Sequence, residues 1–315
     1  MISPRCTFLA AVAGAALPFA AVAQDSTASV PEARVRPAPI TGEESPLTFE
    51  ISPRGQFQLR SDLDSAGRVS VYRAGGDLAI GMKISEDVRI TLTGGGENSW
   101  YRFSGATGLI AGAGNPIDSA TTATFGPGVF WRIDEDWSAF GSGYVEFAGE
   151  SDIFRDDARR WGGLGGARYR FSDDLALSFG VSYATRFRET ARVIPILGAE
   201  WKITERLRFD TRGPGAALTY SLTDTVDIAF RGEYQRREFR LDEDRALLPN
   251  GILIDSAVPI GLEVSWTPAP WVTLSAQAGA VVWQEYSVRD REGNKVGVER
   301  TDPAAYLGVF ARIRF

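Results

Sequence analysis

Apolar and polar residues alternate along most of this chain with a period of two. Between positions 272 and 282, even-numbered residues are Val, Leu or Ala, and the odd-numbered residues 273 to 279 are Thr, Ser, Gln and Gly. Between positions 226 and 234, an apolar parity alternates with one that carries Asp, Arg and Glu. Such alternation over about ten residues is typical of a transmembrane strand with lipid outside and a polar lumen inside. The pattern predicts an all-β fold, a closed antiparallel up-and-down barrel.

Short polar turns and longer, irregular connections follow each other along the chain, as they do in outer-membrane barrels. The short turns lie at 85–87, 134–136, 172–174, 204–206, 223–225 and 267–270, and the longer connections at 61–67, 104–121, 151–157, 242–251 and 289–303. The intervals predict fourteen strands, with both termini on the periplasmic side, near 47–60, 68–84, 88–103, 122–133, 137–150, 159–171, 175–188, 191–203, 206–212, 216–222, 226–241, 253–266, 271–288 and 304–315.

The least certain strand pair is 206–212 and 216–222. Each segment has only about seven residues, whereas a strand needs about 9–11 to cross a bilayer. If this hairpin does not span, the barrel has twelve strands.

The last strand carries a signal of its own. One parity of this strand is apolar and ends in an aromatic residue at the chain terminus, as in barrels that the outer-membrane assembly machinery inserts; its members are Leu307, Val309, Ala311, Ile313 and Phe315. We therefore expect that machinery to be a partner during insertion.

Aromatic residues occur where the two interfaces of a membrane are expected. Amphipathic rings favour the headgroup level of a bilayer. Those beside periplasmic turns are Trp137, Phe171, Trp201 and Trp266, and those nearer the outer strand ends are Tyr183, Tyr234 and Tyr286. Two aromatic girdles are predicted.

The N-terminus predicts export. Arg5 precedes an apolar stretch, and Ala-Val-Ala at 21–23 fits the small-x-small cleavage rule, so residues 1–23 are predicted to be a cleaved signal peptide. Residues 24–46, rich in Pro, Ala, Ser, Thr and Glu, predict a flexible periplasmic segment, and 47–315 the barrel. The bacterial outer membrane is the expected location, with its lipids and lipopolysaccharide as partners.

The inner parity of the predicted strands is rich in charge, and its basic residues outnumber its acidic ones. The basic residues are Arg54, Arg60, Lys83, Arg89, Arg132, Arg168, Arg170, Arg186, Arg188, Arg208, Arg212, Arg231, Arg237, Arg312 and Arg314. The acidic residues are Glu50, Asp77, Glu97, Glu146, Glu200, Asp210, Asp227, Glu233, Glu263 and Glu285. The residues expected to line the lumen most directly are Arg168, Arg186, Arg208, Arg212, Arg231, Glu233, Arg237, Glu263 and Arg312.

This inner charge has two interpretations. In a narrow lumen, an excess of arginine favours permeating anions. Alternatively, Arg and Glu on neighbouring strands pair and plug the barrel, since buried charges require partners. Fourteen strands lie between a side-chain-filled barrel of eight and an aqueous channel of sixteen. The connection 104–121 either folds inward as a constriction or stays outside as a loop.

Composition argues against catalysis and against cofactors. The chain has no histidine, and its single cysteine, Cys6, lies in the predicted signal peptide. A histidine-based proton relay is therefore impossible, and cysteine-based metal sites are excluded from the mature chain. The net charge of −6 becomes −7 when Arg5 is removed, and it is not clustered as nucleic-acid binding requires. The glycine clusters 94–96 and 162–166 lack the Gly-Lys-Ser/Thr of a phosphate loop. We expect no enzyme activity, no metal and no cofactor.

One stretch carries a family resemblance. Pro195 to Phe209 leads into the Gly-Pro-Gly hairpin at 213–215, and Glu-Tyr-Gln-Arg-Arg-Glu-Phe-Arg-Leu follows at 233–241. This stretch resembles an uncharacterised, porin-like family of bacterial outer-membrane β-barrel proteins, a domain of unknown function. The resemblance implies the barrel and its location, and it brings no catalytic residues.

The sequence thus favours a porin-like passive channel for small solutes, anions among them. A plugged structural or surface-interaction barrel without transport is the alternative. A transporter of hydrophobic small molecules is a second alternative.

Overall fold

The structure, a computed structural model, describes residues 46–188 and 190–315. The predicted signal peptide (1–23) and nearly all of the predicted periplasmic segment (24–46) lie outside this part of the chain. The described residues form sixteen strands and one turn of 3-10 helix (Asp156–Ala158), and none of them forms a helix long and apolar enough to cross a membrane. The strands are β1 (Leu47–Asp62), β2 (Arg68–Lys83), β3 (Val88–Ser104), β4 (Ser119–Arg132), β5 (Trp137–Gly149), β6 (Arg159–Ser172), β7 (Leu175–Ala184), β8 (Arg192–Lys202), β9 (Leu207–Arg212), β10 (Gly215–Ser221), β11 (Val226–Glu233), β12 (Gln235–Arg240), β13 (Ile252–Ala269), β14 (Val272–Arg289), β15 (Lys295–Arg300) and β16 (Ala304–Arg314).

The strands close into one antiparallel barrel. Consecutive strands from β1 to β11 pair with each other, β11 pairs with β13, β13 with β14, β14 with β16, and β16 with β1. Strand β12 continues β11 along β13, and β15 precedes β16 along β14, so the wall has fourteen strands. The predicted outer-membrane barrel and its fourteen strands are confirmed. The short hairpin β9–β10 belongs to the wall, because β9 pairs with β8 and β10 with β11.

The two faces of the wall follow the period of two. On β1 the exposed parity holds Phe49, Ile51 and Phe57, and on β16 it holds Leu307 and Val309. The opposite parity faces the lumen with glycine, serine, threonine and charged residues. The apolar parity is stable in contact with lipid, and the polar parity is stable in contact with water. The alternation therefore fixes the register of each strand.

Two bulges move predicted positions to the other face. Between Gln58 and Ser61 of β1 the register shifts, so that Leu59 and Arg60 both face outward. A second shift, between Val258 and Pro259 of β13, accompanies a change of parity on β14. The predictions that Arg60 faces the lumen and that Tyr286 belongs to the outer girdle are therefore wrong: Arg60 is exposed on the outside and Tyr286 is fully buried inside. An extra residue in one strand reverses every side chain that follows it.

The end of the barrel with the long connections differs from the end with the chain termini. We call these the loop end and the terminus end. At the loop end, the last residue of β12 also pairs in parallel with β5, so that Arg240 lies opposite Gly149. Along the wall, β12 and β5 are far apart, because strands β6 to β11 lie between them. Because β12 stays paired with β13 over all six of its residues, this edge of the wall bends inward at the loop end and reaches β5 across the lumen.

Candidate functional site

The lumen is plugged at the loop end by the connection between β3 and β4, residues 105–118, which we call the plug loop. Ala106, Leu109, Ile110 and Ile117 of this loop are 0–4% exposed. They join an apolar cluster contributed by wall strands and loops: Leu63, Val69, Val71, Tyr101, Phe103, Ala120, Ala148, Phe187, Phe239, Leu241, Ile252, Leu253, Ile254, Tyr286 and Val288. Burial of each large aliphatic side chain contributes about 1.5–3 kcal/mol. The plug loop is thus a packed part of the fold. Of the two conformations predicted for residues 104–121, the structure has the one that folds into the barrel.

A polar layer centred on Asp255 accompanies this apolar plug. Asp255 is fully buried and accepts hydrogen bonds from Arg73 Nη2 (2.6 Å), from the Tyr101 hydroxyl (3.0 Å) and from Gln284 Nε2 (2.9 Å). Gln284 in turn accepts from Gln58. A buried carboxylate is tolerated only when it is paired and hydrogen-bonded, and this network gives Asp255 one ion pair and three hydrogen-bond donors. It also joins β13 to β2 and β3 across the lumen.

The crossing strand β12 is held by a second buried network. Arg160 of β6 pairs with Glu146 of β5 and, over 3.1 Å, with Glu238 of β12. Glu238 also accepts from Arg236 Nε at 2.8 Å. The backbone contributes a hydrogen bond of 3.0 Å from Glu150 N to the carbonyl oxygen of Arg240. Strand β12 is therefore fixed to the opposite wall by charge and by main-chain pairing.

Phe187, in the connection after β7, lies between two guanidinium groups of this network. The guanidinium carbons of Arg160 and Arg240 lie 5.1 Å and 4.9 Å from the centre of its ring. Arg240 also donates to the carbonyl oxygens of Asp157 and Asn250, each over 3.0 Å. The positive groups face the electron-rich ring, an attractive arrangement when both are shielded from water.

A third group of charges surrounds Glu97 of β3. Arg237 of β12 donates to Glu97 Oε1 over 2.8 Å, and Arg54 of β1 donates to Oε2 over 3.3 Å. Arg54 also pairs with Asp77, which lies against Gly95. A Cβ at Gly95 would come within 2.2 Å of Asp77 Oδ1, so glycine makes room here for the charged side chain.

The rest of the lumen, toward the terminus end, contains charge pairs that water reaches. Arg231 pairs with Glu263 at 3.0 Å and Arg168 with Glu200 at 2.9 Å. Arg314 and Arg312 share Glu50, at 2.8 Å and 3.5 Å. The wall between these pairs is lined by small residues, including inward-facing glycines at 81, 128, 166, 198 and 308. We call this region the hydrated section.

The predicted lumen residues do not all line this section. Five lie on the lumen side of wall strands: Arg168, Arg208, Arg231, Glu263 and Arg312. Arg237 lies on β12 and is engaged with Glu97, and Arg186 is buried near Glu238 in the connection after β7, so the structure does not place these two in the open part. Glu233 shares the inward parity of Arg231 and is exposed at the end of β11. Arg212 lies in β9, and its side chain is outside the described part.

Contact between solute and any of these side chains stays a prediction. Among the described residues, no three His, Cys, Asp or Glu side chains are grouped closely enough to hold a metal ion.

The predicted C-terminal assembly signal occupies one face of β16. Leu307, Val309 and Phe315 are exposed on the outside, and Ala311 and Ile313 share their parity and are half-buried. The main chain of Phe315 exchanges hydrogen bonds of 2.9 and 3.0 Å with Phe49, which extends the closure of the barrel to the last residue. The role of this face in assembly remains a prediction.

The sequence did not predict the main residues that close the lumen. Asp255, Arg73, Arg160 and Glu238 are all buried, and none was among the predicted lumen residues most directly involved. One signal was present: residues 235–240 carry charge on both parities, which a strand with one face in lipid cannot accommodate.

Comparison with known protein families finds a match in the second half of the chain. Residues 163–314, slightly less than half of the chain, match a domain of unknown function (DUF6268). The match includes the stretch from 195 to 241, and the predicted resemblance to an uncharacterised outer-membrane family is confirmed. No curated protein matches.

Several solved outer-membrane proteins are similar in structure at very low sequence identity. The COG4313 outer membrane channel from Pseudomonas putida F1 has a TM-score of 0.48 at 8% identity, covering 87% of this chain and 97% of that one. The P. putida toluene transporter TodX has a TM-score of 0.45 at 8% identity, covering 87% and 91%. The KdgM porin has a TM-score of 0.34 at 10% identity, covering 84% and 99%.

Proposed function

We propose that this outer-membrane barrel is a porin-like passive channel for small solutes, and that the plug loop closes it at the loop end. The supporting observation is a change in hydration along the lumen. Arg168, Arg231 and Arg314 point into the barrel, yet their side chains are 27%, 30% and 39% exposed. At the loop end the side chains of Arg73 and Arg160 are only 4% and 3% exposed. A water-accessible cavity therefore extends from the terminus end as far as the plug.

Few structural elements close the lumen at the loop end. The plug loop and β12 fill it, while the fourteen-stranded wall that surrounds them is wider than a barrel of eight strands, which side chains alone can fill. Displacement of the plug loop would join the hydrated section to the outer side. Closure by a loop inside a wide wall, rather than by the wall itself, favours a channel with a closed state.

The charge of the hydrated section favours a weak preference for anions. Its basic side chains are in slight excess over its acidic ones, although most are paired: Lys83, Arg89, Arg168, Arg208, Arg231, Arg312 and Arg314 against Glu50, Glu200, Asp210, Asp227, Glu233 and Glu263. Paired charges largely cancel, so only a modest selectivity is proposed. The same charges disfavour a path for hydrophobic molecules through this section.

A plugged structural barrel without transport is the second candidate. The pairs Arg73–Asp255 and Arg160–Glu238 favour it, because each ties opposite parts of the barrel together and is almost completely buried. Opening would expose or break such pairs at a cost of several kcal/mol.

Single-channel recording separates the two candidates. The mature chain would be refolded into a planar bilayer and compared with a variant in which residues 106–117 are replaced by a short Gly-Ser linker. We expect rare openings from the unaltered protein and steady conductance, about tenfold or more in open probability, from the variant, because the loop that supplies Ala106, Leu109, Ile110 and Ile117 to the plug has gone.

A matched pair of point variants controls for general damage. Leu109 is fully buried in the plug, whereas Leu247 is 44% exposed in another loop. Leu109→Asp should raise the open probability and Leu247→Asp should leave it unchanged. If the linker variant and Leu109→Asp both fold, as heat-modifiable migration would show, and both stay electrically silent, the channel proposal is wrong and the structural barrel stands.

A further inference from the structure

The outer face of β1, β2 and β3 carries an ordered arrangement of side chains at the loop end. Phe57, Tyr72 and Trp100 are opposite one another on the three strands and form one row, with Tyr72 and Trp100 stacked at a centroid distance of 5.1 Å. All three rings are exposed on the outside of the barrel. An exposed aromatic row on a transmembrane barrel marks the headgroup level of the membrane.

The next row toward the loop end is basic. Arg60, which the bulge turns outward, lies beside Ser70, and Ser70 lies opposite Arg102. Arg68 lies two residues beyond Ser70 on the same face of β2. All three arginines are exposed, and within the described residues none makes an ion pair or a side-chain hydrogen bond. We call Arg60, Arg68 and Arg102 the outer arginines.

The outer arginines differ from other exposed arginines at this end. Arg159 pairs with Asp156 at 3.8 Å, and Arg300 pairs with Glu285 at 3.1 Å. The outer arginines have two carboxylates in their neighbourhood, Asp62 and Asp118, yet they bind neither, and Asp118 instead accepts from Asn115. Three guanidinium groups are thus left available on a face that borders lipid.

The geometry leaves space for a headgroup among these residues. The small side chain of Ser70 separates Arg60 from Arg102, which are two strands and therefore about 10 Å apart. A surface cavity of about 450 Å³ opens here, lined by Phe57, Ser70, Tyr72, Trp100, Arg102 and Asp118. Along the strands, Arg60 and Arg102 lie one row beyond the rings, about 7 Å farther from the membrane centre, and Arg68 lies two rows beyond them, about 13 Å.

We propose that the outer arginines and the cavity below them bind the phosphate groups of an anionic lipid of the outer leaflet, a phosphorylated glycolipid such as lipid A. Guanidinium groups bind phosphate oxygens in pairs and keep their charge at every physiological pH. The rings of Tyr72 and Trp100 pack against the sugar or the first part of the acyl chains. The site lies outside the lumen, so it is independent of channel activity.

Native mass spectrometry of the refolded full-length mature protein tests this site. The protein would be titrated with lipid A and, separately, with dephosphorylated lipid A. The triple variant Arg60→Gln, Arg68→Gln and Arg102→Gln removes the charges, and the double variant Arg159→Gln with Arg300→Gln is a control for loss of exposed arginines elsewhere. We expect one tightly bound lipid A on the unaltered protein, and about tenfold or more weaker binding by the triple variant.

The control variant and the two competing ligands show which part of the lipid the site recognises. The control variant should bind lipid A as the unaltered protein does, and dephosphorylated lipid A should bind about tenfold more weakly. Millimolar inorganic phosphate should not displace the lipid, because the cavity and rings hold its apolar part. Equal binding by the triple variant, equal binding of the dephosphorylated lipid, or displacement by inorganic phosphate would each overturn the proposal. The variants change exposed side chains only, and heat-modifiable migration verifies that each one folds.

Discussion

Arg73 of β2 and Asp255 of β13 meet across the lumen, with 2.6 Å between Nη2 and Oδ2, and their side chains are 4% and 0% exposed. Their strands are not neighbours in the wall, since β14, β16 and β1 lie between them. A pair so deeply buried gains strength from the low local dielectric but also loses the hydration of both charges. Its net contribution to stability is therefore small, whereas the loss of one partner is costly.

This relationship predicts different outcomes for single and double variants. Asp255→Asn should lower the free energy of unfolding by about 3–5 kcal/mol, because Arg73 is left buried and unpaired. Combining Arg73→Met with Asp255→Leu should cost less than Asp255→Asn alone. Urea unfolding of the barrel in detergent micelles measures both effects. Asp227→Asn is the control, since Asp227 is partly exposed and accepts a hydrogen bond from the Ser221 hydroxyl; it should cost under about 1 kcal/mol.

Much of this fold follows from the period of two. The alternation predicted the fourteen wall strands and the apolar outer parity of residues such as Leu307 and Val309, because lipid and water impose opposite requirements on the two faces of each strand. It failed after bulges: one extra residue turned Arg60 outward, and a second shift accompanies the inward side chain of Tyr286. A bulge leaves no periodic mark that a short segment can reveal.

The candidate site was less predictable than the wall. Leu109, Ile110 and Ile117 have neither strand nor helix spacing, so their burial depends on a cavity that exists only after the barrel has closed. The pairing of Arg73 with Asp255 joins residues 182 positions apart, and no local pattern specifies such a partner. Charge on both parities of residues 235–240 was the one local indication that β12 bends inward, away from lipid.

The crossing of β12 to β5 is open to a direct test by disulfide formation. Gly149 and Arg240 are opposite each other in the parallel pair, within the range of Cα separations that a disulfide spans. The mature chain would hold no other cysteine. We expect Gly149→Cys with Arg240→Cys to cross-link on mild oxidation, as mass spectrometry of peptides would show. Gly149→Cys with Leu222→Cys, a distant exposed position, should stay reduced; thiols that stay reduced in the first pair would contradict the crossing.

Ion selectivity should respond to the charge of the hydrated section. In the linker variant that lacks residues 106–117, Arg231→Glu places a second carboxylate beside Glu263 and changes the lumen charge by two. The reversal potential under a salt gradient should shift toward cation preference. Arg206→Glu makes the same change of charge at an exposed turn of the terminus end and should shift it much less. Equal shifts in both variants would indicate that overall charge, rather than the lumen, sets the selectivity.

The terminal aromatic residue should matter for assembly and little for stability. The side chain of Phe315 is 68% exposed, so it packs against little of the protein, and its hydrogen bonds to Phe49 use only the main chain. Phe315→Ala should therefore refold in detergent with an unfolding midpoint close to that of the unaltered chain. In cells, its level in the outer membrane should fall several-fold, because the assembly machinery would lose its terminal signal. Phe171→Ala, an equally outward aromatic residue at 58% exposure, is the control and should reach the membrane normally. A Phe315→Ala protein that assembles normally but unfolds more readily would assign the residue a structural role instead.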